Sequence, residues 1–146
     1  MAHAEGTTMI DRPANVVFDF LSDGMNNQLW RPAVIDIERV PGKTPGAGAT
    51  YKQGLKGPGG RRIDGDYEIT DSQPNKLIKF AVIAGPARPT GTYMLEPAGT
   101  GTKVTFILDY PTKGLARLMD GMITKTMQAE VETLSNLKAY LESRPA

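Results

Sequence analysis

Cysteine is absent from this chain of 146 residues, which excludes disulfides, thiolate metal sites and cysteine nucleophiles. Histidine occurs once, at His3, in a segment expected to fray, so a histidine-based triad or multi-histidine metal site is not expected. No charge of one sign predominates: 17 Lys and Arg face 16 Asp and Glu, a net charge of +1. Proteins that bind a phosphate backbone carry a basic excess or a basic run, and neither is present, so no nucleic-acid partner is expected. No uninterrupted apolar run approaches the roughly 20 residues of a membrane helix, which argues against membrane insertion. Met1-Ala2-His3-Ala4-Glu5-Gly6 has neither the basic nor the apolar region of a signal peptide, so the expected location is the cytoplasm. No cofactor and no metal is implied.

What is present points to strands. Hydrophobic residues make up 40% of the chain, and 16 glycines with 11 prolines are too many for a helical bundle. A chain of this length suits one domain, 1–146, burying roughly 70% of its unfolded surface. A short strand ends near Ile10. Pro13 then suits the first turn of a helix, and Val16, Val17, Phe20 and Leu21 form its apolar stripe to about Asp23. A second short helical turn covers Met25 to Trp30. Six extended segments follow: Val34–Val40, Ala49–Lys56, Arg61–Ser72, Leu77–Ala84, Thr90–Glu96 and Lys103–Tyr110. Turn signals such as Gln73-Pro74-Asn75 and Pro97-Ala98-Gly99-Thr100-Gly101 separate them, and Pro41–Gly48 and Gly57–Gly60 read as loops.

From Leu115 to Glu142 the period changes. Met119, Ile123, Met127, Val131, Leu134, Leu137 and Leu141 recur at three- and four-residue steps, predicting one long helix of about 42 Å. Gly121, Thr124 and Thr126 weaken its first half, where a kink or a loose opening turn is expected. Seven strands joined by short turns form a twisted antiparallel sheet that cannot bury its concave face alone. The terminal helix is long enough to lie across that face, so the class is α+β.

Specific residues carry a family resemblance. The run from Ile10-Asp11-Arg12-Pro13 to Leu21-Ser22-Asp23 resembles the first strand-to-helix junction of the START-like (SRPBCC) superfamily, and of its polyketide cyclase/dehydrase group in particular. Trp30 matches that group's tryptophan. Gly46-Ala47-Gly48-Ala49-Thr50-Tyr51, Leu95-Glu96-Pro97 and Gly101-Thr102-Lys103-Val104-Thr105 match its strand starts, and Glu132 to Glu142 its terminal helix. The resemblance implies a helix-grip (START/Bet v 1-like) fold: a seven-stranded antiparallel curved sheet around a long C-terminal helix, with two short helices after the first strand. It also implies a hollow between sheet and helix. The superfamily includes cyclases, lipid carriers and hormone receptors, so the reaction stays open.

Strand parity assigns the lining of such a hollow. Tyr51, Gln53 and Leu55 oppose Thr50, Lys52 and Lys56, while Ile63, Gly65, Tyr67 and Ile69 oppose Arg62, Asp64, Asp66 and Glu68. Ile78, Phe80 and Val82, then Tyr93 and Leu95, then Val104, Phe106, Leu108 and Tyr110 complete the inward set. The expected ligand-binding residues are therefore Trp30, Tyr51, Gln53, Tyr67, Phe80, Tyr93, Phe106 and Tyr110. The terminal helix adds Met119, Met122, Ile123 and Met127. Aromatic bodies with hydroxyl tips suit a flat, mainly apolar ligand bearing a few oxygens, and methionines add a deformable wall. The alternative for each of these side chains is simple core filling.

Other signals are weaker. Asp64, Asp66 and Glu68 recur about 6.6–7 Å apart, a spacing at which carboxylates serve as acid and base. Parity turns them to solvent beside Arg61 and Arg62, unless a bulge at Gly65 inverts part of the row. Gly42-Lys43-Thr44 ends like a phosphate loop, but Ile37 stands where that loop needs its first glycine. No complete G-x-G-x-x-G occurs, and a serine nucleophile would lack a well-placed base. Glu130 borders the helix's inner face and Arg88 a strand start; each is a candidate for proton transfer or ligand anchoring, weighed against an ordinary edge or surface residue.

Three readings follow. The first is a binding module, monomer or homodimer, that holds a hydrophobic or aromatic small molecule, lipid- or polyketide-like. The second is a polyketide cyclase or dehydratase, with Tyr51 and Tyr67 as candidates to polarise a substrate carbonyl and proximity supplying much of the rate. The third is a protein–protein adaptor. The first two require an open cavity of several hundred cubic ångströms with converging tyrosine hydroxyls; a packed interior would sink both, and the adaptor predicts that packing together with an exposed apolar patch.

Overall fold

The computed structural model describes residues 2–42, 46–85, 88–111 and 114–144. Strand β1 (Ala2–Ile10) buries Ala2, Ala4 and Ile10. His3 is not frayed: it lies in β1, with its ring nitrogen 2.5 Å from the Asp109 carboxylate. Pro13 closes the strand and opens α1 (Ala14–Ser22), which buries Val17, Phe18 and Leu21. The expected second helical turn is a 3-10 helix, Gly24–Leu29, and Asp23 caps it by accepting the Met25 N–H at 3.0 Å.

The remaining strands are β2 (Val34–Arg39), β3 (Thr50–Lys56), β4 (Arg62–Asp64), β5 (Tyr67–Gln73), β6 (Leu77–Val82), β7 (Thr90–Ala98) and β8 (Gly101–Tyr110). They form a curled antiparallel sheet in the order β1-β8-β7-β6-β5-β3-β2, with β4 as an eighth short strand paired to β3. This is the helix-grip arrangement. The predicted strand Arg61–Ser72 is thus two strands, and the reason is local. At Gly65 and Asp66 the Asp66 carboxylate, not a backbone carbonyl, accepts the Gln53 N–H at 3.1 Å. The side-chain parity survives the interruption, because Gly65, Tyr67 and Ile69 are all buried.

The register brings aromatic side chains together across strands. Tyr51 pairs with Tyr67, Phe80 with Ile69 on one side and Gly91 on the other, and Tyr93 with Phe106. Gly91 is needed there: a Cβ would stand 2.1 Å from the Phe80 ring. In the β5–β6 turn Asn75 takes a left-handed φ of 63°, which asparagine tolerates better than most residues.

The single helix predicted over Leu115–Glu142 is three pieces: a 3-10 helix Gly114–Met119, α2 (Asp120–Val131) and α3 (Leu134–Glu142). The loose opening expected there is the 3-10 helix, whereas Gly121, Thr124 and Thr126 lie within regular α2 and bring no break. The break comes later, at Glu132 and Thr133, where the Thr133 hydroxyl donates to the Glu130 carbonyl at 2.5 Å and competes with the helical ladder. Both residues keep right-handed helical angles, so the backbone stays helical through the interruption. Val131, Leu134, Leu137 and Leu141 bury their side chains against the sheet, and Gly6 of β1 admits Val131 closely, since a Cβ there would lie 3.3 Å from its carbonyl oxygen. Arg12 clamps the far end of α3, donating to the carbonyls of Glu142 at 2.8 Å and Arg144 at 2.6 Å.

Leu137 is fully buried in this seam. Leu137→Ala is expected to cost about 2–5 kcal/mol through lost burial and the cavity left behind. Chemical denaturation monitored by Trp30 fluorescence measures it; a change below about 1 kcal/mol would show that α3 does not seal the core.

Candidate functional site

The concave face of the sheet carries a chain of rings. Tyr51 stacks on Tyr67 at 5.2 Å between centroids, Tyr67 meets Phe80 edge-on at 5.5 Å, and Phe80 leads to Tyr93 at 5.7 Å. Tyr93 and Phe106 lie 4.6 Å apart, and Trp30, from the end of the 3-10 helix, closes over both at 6.2 and 6.3 Å. Polar groups converge within this apolar setting. Asn27 donates to the Tyr67 hydroxyl at 3.0 Å and to Gln53 Oε1 at 3.1 Å, while Gln53 donates onward to the Gly65 carbonyl at 3.3 Å. Gly24 makes this possible. A Cβ at that position would stand 2.2 Å from the Tyr67 hydroxyl and 2.9 Å from the Tyr51 ring.

A charge is buried here too. Arg31 follows Trp30, its side chain is 8% exposed, and its Nε donates to the Glu130 carboxylate on the last turn of α2. Burial disfavours the guanidinium charge, yet the Glu130 carboxylate outweighs it, so the Arg31 pKa lies above its ordinary value. Burial pushes the Tyr93 phenol up to about 12 against the opposing pull of Arg31. Burial raises Tyr67 as well, with Tyr93 adding to the rise while Arg31 and the Asn27 hydrogen bond oppose it. Both tyrosines are therefore neutral donors at physiological pH.

The expected open cavity is not at this cluster. A void of about 10 Å³ remains between Leu21, Asn27, Arg31, Tyr67, Ile69, Ile78, Phe80 and Tyr93, room for roughly one water. Trp30, Arg31 and Leu21 fill the space that parity left empty. A larger pocket of about 260 Å³ lies outside Tyr51, between α1 and the start of β3, lined by Phe18, Asp19, Ser22, Asp23, Arg39, Gly46, Ala49 and Tyr51.

Of the sequence-predicted residues, Trp30, Tyr51, Gln53, Tyr67, Phe80, Tyr93, Phe106 and Met127 are buried together, and Tyr110 and Ile123 pack partly buried at the margin. Met119 and Met122 are exposed, a correction to their inward assignment: α2 buries Met127 and Val131 in its last turns, while in its first turns Ile123 packs partly buried at the core and the methionines point away from it. The two catalytic candidates part company. The Tyr67 hydroxyl points to Asn27 in the interior, whereas Tyr51 has Arg39 over its ring at 5.8 Å and walls the outer pocket. Asp64 is exposed and paired with Arg62, and Asp66 is held by the Gln53 N–H, so no carboxylate pair faces the interior. Arg88 is exposed, its Nε 3.4 Å from the Gly85 carbonyl, and Lys43 and Thr44 lie outside the described residues. Among the described residues there is no cluster of acidic or histidine side chains able to hold a metal. Asn27 and Arg31 were not legible in the sequence; the one signal was an arginine directly beside the tryptophan that ends a short helical turn.

The sequence pattern described as polyketide cyclase / dehydrase and lipid transport matches residues 1–142. The chain belongs to this family. Solved structures agree on the fold. The protein TTHA0849 of Thermus thermophilus is 21% identical with a TM-score of 0.82, covering 99% of both chains. A START superfamily protein from Mycobacterium smegmatis is 16% identical with a TM-score of 0.76, over 98% of this chain and 99% of that one. The di-domain ARO/CYC StfQ of the steffimycin biosynthetic pathway is 14% identical with a TM-score of 0.82, over 98% of this chain and 52% of that one. At these identities the likeness establishes the fold. No curated protein matches the chain. The family's double description, cyclase and lipid transport, covers chemistry and carriage alike.

Two measurements check the site's physics. Each raised tyrosine favours the folded state below the phenol's ordinary pKa of 10, and that stability is lost as pH rises towards about 12 for Tyr93; the slope is about 1.4 kcal/mol per pH unit per tyrosine. Alkaline titration should show Tyr93 ionising only as near-ultraviolet circular dichroism collapses, with the step missing in Tyr93→Phe; ionisation of Tyr93 near pH 10 in a folded protein would contradict its burial. Gly24→Ala should separate the stacked Tyr51 and Tyr67 and destabilise by about 1–3 kcal/mol, read as a lower melting temperature with an altered tyrosine signal.

Proposed function

We propose that residues 1–146 form one ligand-binding domain that takes up a hydrophobic or aromatic small molecule bearing a few oxygens, lipid- or polyketide-like, between the sheet and the C-terminal helix. One observation carries this reading. Asn27, Arg31, Gln53, Tyr67 and Tyr93 bring donors and acceptors into the middle of an aromatic core. A core needed only for stability is built more cheaply from apolar side chains, because each buried polar group must be matched by a partner.

Uptake requires the interior to open, and one element is suited to yield. Leu118, 84% exposed, and Met122, 60% exposed, sit on the 3-10 opening and first turn of α2, and a Cβ at Gly121 would touch nothing. Among the described residues of these turns Leu118, Met119 and Met122 stay out of the core, so moving them sacrifices little buried surface. Their methionines would then fold over an apolar ligand. If the protein acts on what it binds, Tyr67 is the better of the two tyrosine candidates. A neutral phenol inside the chamber can donate to a substrate carbonyl. Family membership supports a carrier or a cyclase, and its proposed setting is the cytoplasm, as monomer or homodimer. Among the described residues no helix is long and apolar enough to cross a membrane.

A second reading has its own support. The nearly filled interior and the exposed Leu118, Met119 and Met122 are what a protein–protein adaptor would show. Native mass spectrometry of the purified protein, before and after incubation with a neutral aromatic such as 2-naphthamide, separates the two. Ligand binding predicts a stoichiometric adduct and quenching of Trp30, with Tyr93→Phe or Tyr67→Phe weakening it about tenfold by loss of one hydrogen bond. No adduct at saturating probe, with Trp30 unchanged, would favour the adaptor.

A further inference from the structure

Resting on that reading, we infer that the chamber selects acids: an anionic aromatic or acyl ligand, a carboxylate above all, displaces Glu130 from Arg31 and takes its place. Among the described residues Glu130 is the one carboxylate paired with Arg31, and the two come from opposite sides of the chamber, the 3-10 segment and the last turn of α2. They are not equally buried. The Arg31 side chain is 8% exposed and stands 6.0 Å from the Trp30 ring, beside Tyr93, so it cannot leave without dismantling the core. The Glu130 side chain is 19% exposed and borders solvent. Rotation about its own bonds carries Glu130 into water while Met127 and Val131 keep that turn of α2 seated on the sheet.

Charge then decides which ligand replaces it. A neutral ligand that pushes Glu130 aside leaves a buried guanidinium uncompensated, the costliest state of such a pair. A carboxylate restores the two-oxygen acceptor that the guanidinium fork matches, while Glu130 regains its hydration. The exchange conserves the ion pair, and burial of the ligand's apolar body supplies the net drive. Tyr93, Tyr67 and Asn27 are placed to donate to, or accept from, oxygens further along the ligand.

The test compares two isosteric probes, 2-naphthoate and neutral 2-naphthamide, by calorimetry and by quenching of Trp30, the chain's one tryptophan. The inference predicts that the wild-type protein binds naphthoate at least about tenfold tighter, since hydrogen bonds to a charged group are the stronger ones. Glu130→Gln, which removes the carboxylate that either probe must displace, should tighten both probes, naphthoate by about another tenfold, and keep the preference for the acid. The double variant Arg31→Met with Glu130→Met replaces the pair by apolar side chains of similar length and keeps the fold testable. It should lose the preference for the acid while still binding naphthamide. Equal binding of the two probes by the wild-type protein, or retention of the acid preference in the double variant, would overturn the inference and leave the binding reading standing. Failure of both probes to bind any of the three proteins would overturn both.

Discussion

One buried guanidinium constrains the interior of this protein. Arg31 sits among Trp30, Tyr93 and Tyr67, where its charge is tolerated only because Glu130 meets it from the last turn of α2. That pairing fixes the rotation of α2 relative to the 3-10 helix, and Asn136 extends the tie by donating to the Trp30 carbonyl at 3.1 Å. A guanidinium has no neutral form at any pH the fold survives, so the carboxylate opposite cannot simply be dispensed with. The hydrogen bonds of Asn27, Gln53 and Tyr67 extend the same requirement through the rest of the interior, each buried donor needing an acceptor.

This requirement separates the two halves of the terminal helix. From Met127 onward the helix is committed, by Val131 against Gly6, by Leu134, Leu137 and Leu141 in the core, and by the Arg12 clamp at its end. Before Met127 it presents Leu118, Met119 and Met122 to solvent, with Ile123 packed partly buried at the margin of the core. A helix-grip fold needs both properties if it is to hold something: a grip firm enough to keep the sheet curled, and a portion whose displacement does not unfold the rest. Here the division falls within one helix.

Much of the fold could be read from residue order. The parity of Tyr51, Tyr67, Phe80, Tyr93 and Phe106 placed them on one face, and the structure buries all five, because alternation in a strand leaves a side chain only two directions. The terminal leucines followed from helical period in the same way. Where the reading fell short, a side-chain hydrogen bond had replaced a backbone one. The Thr133 hydroxyl interrupts the expected long helix, and the Asp66 carboxylate splits the expected long strand. Met119 and Met122 lie on the predicted stripe, but a stripe is buried only where a partner surface reaches it.

Composition alone excluded cysteine-thiol and thiolate-metal chemistry, since a residue type that is absent cannot act, and hydrophobic period gave the broad order of strands and helices but not their interruptions. Whether the concave face would be hollow or filled was beyond it. Filling depends on which side chains from the α1 and 3-10 segment reach across to the sheet, and Trp30, Arg31 and Asn27 do so only once the chain has turned back over its own strands. The partnership of Arg31 with Glu130 spans 99 positions of sequence. Local pattern carries no information about such a pair, because it is made by the curl of the sheet and the path of the helix, which are properties of the folded whole.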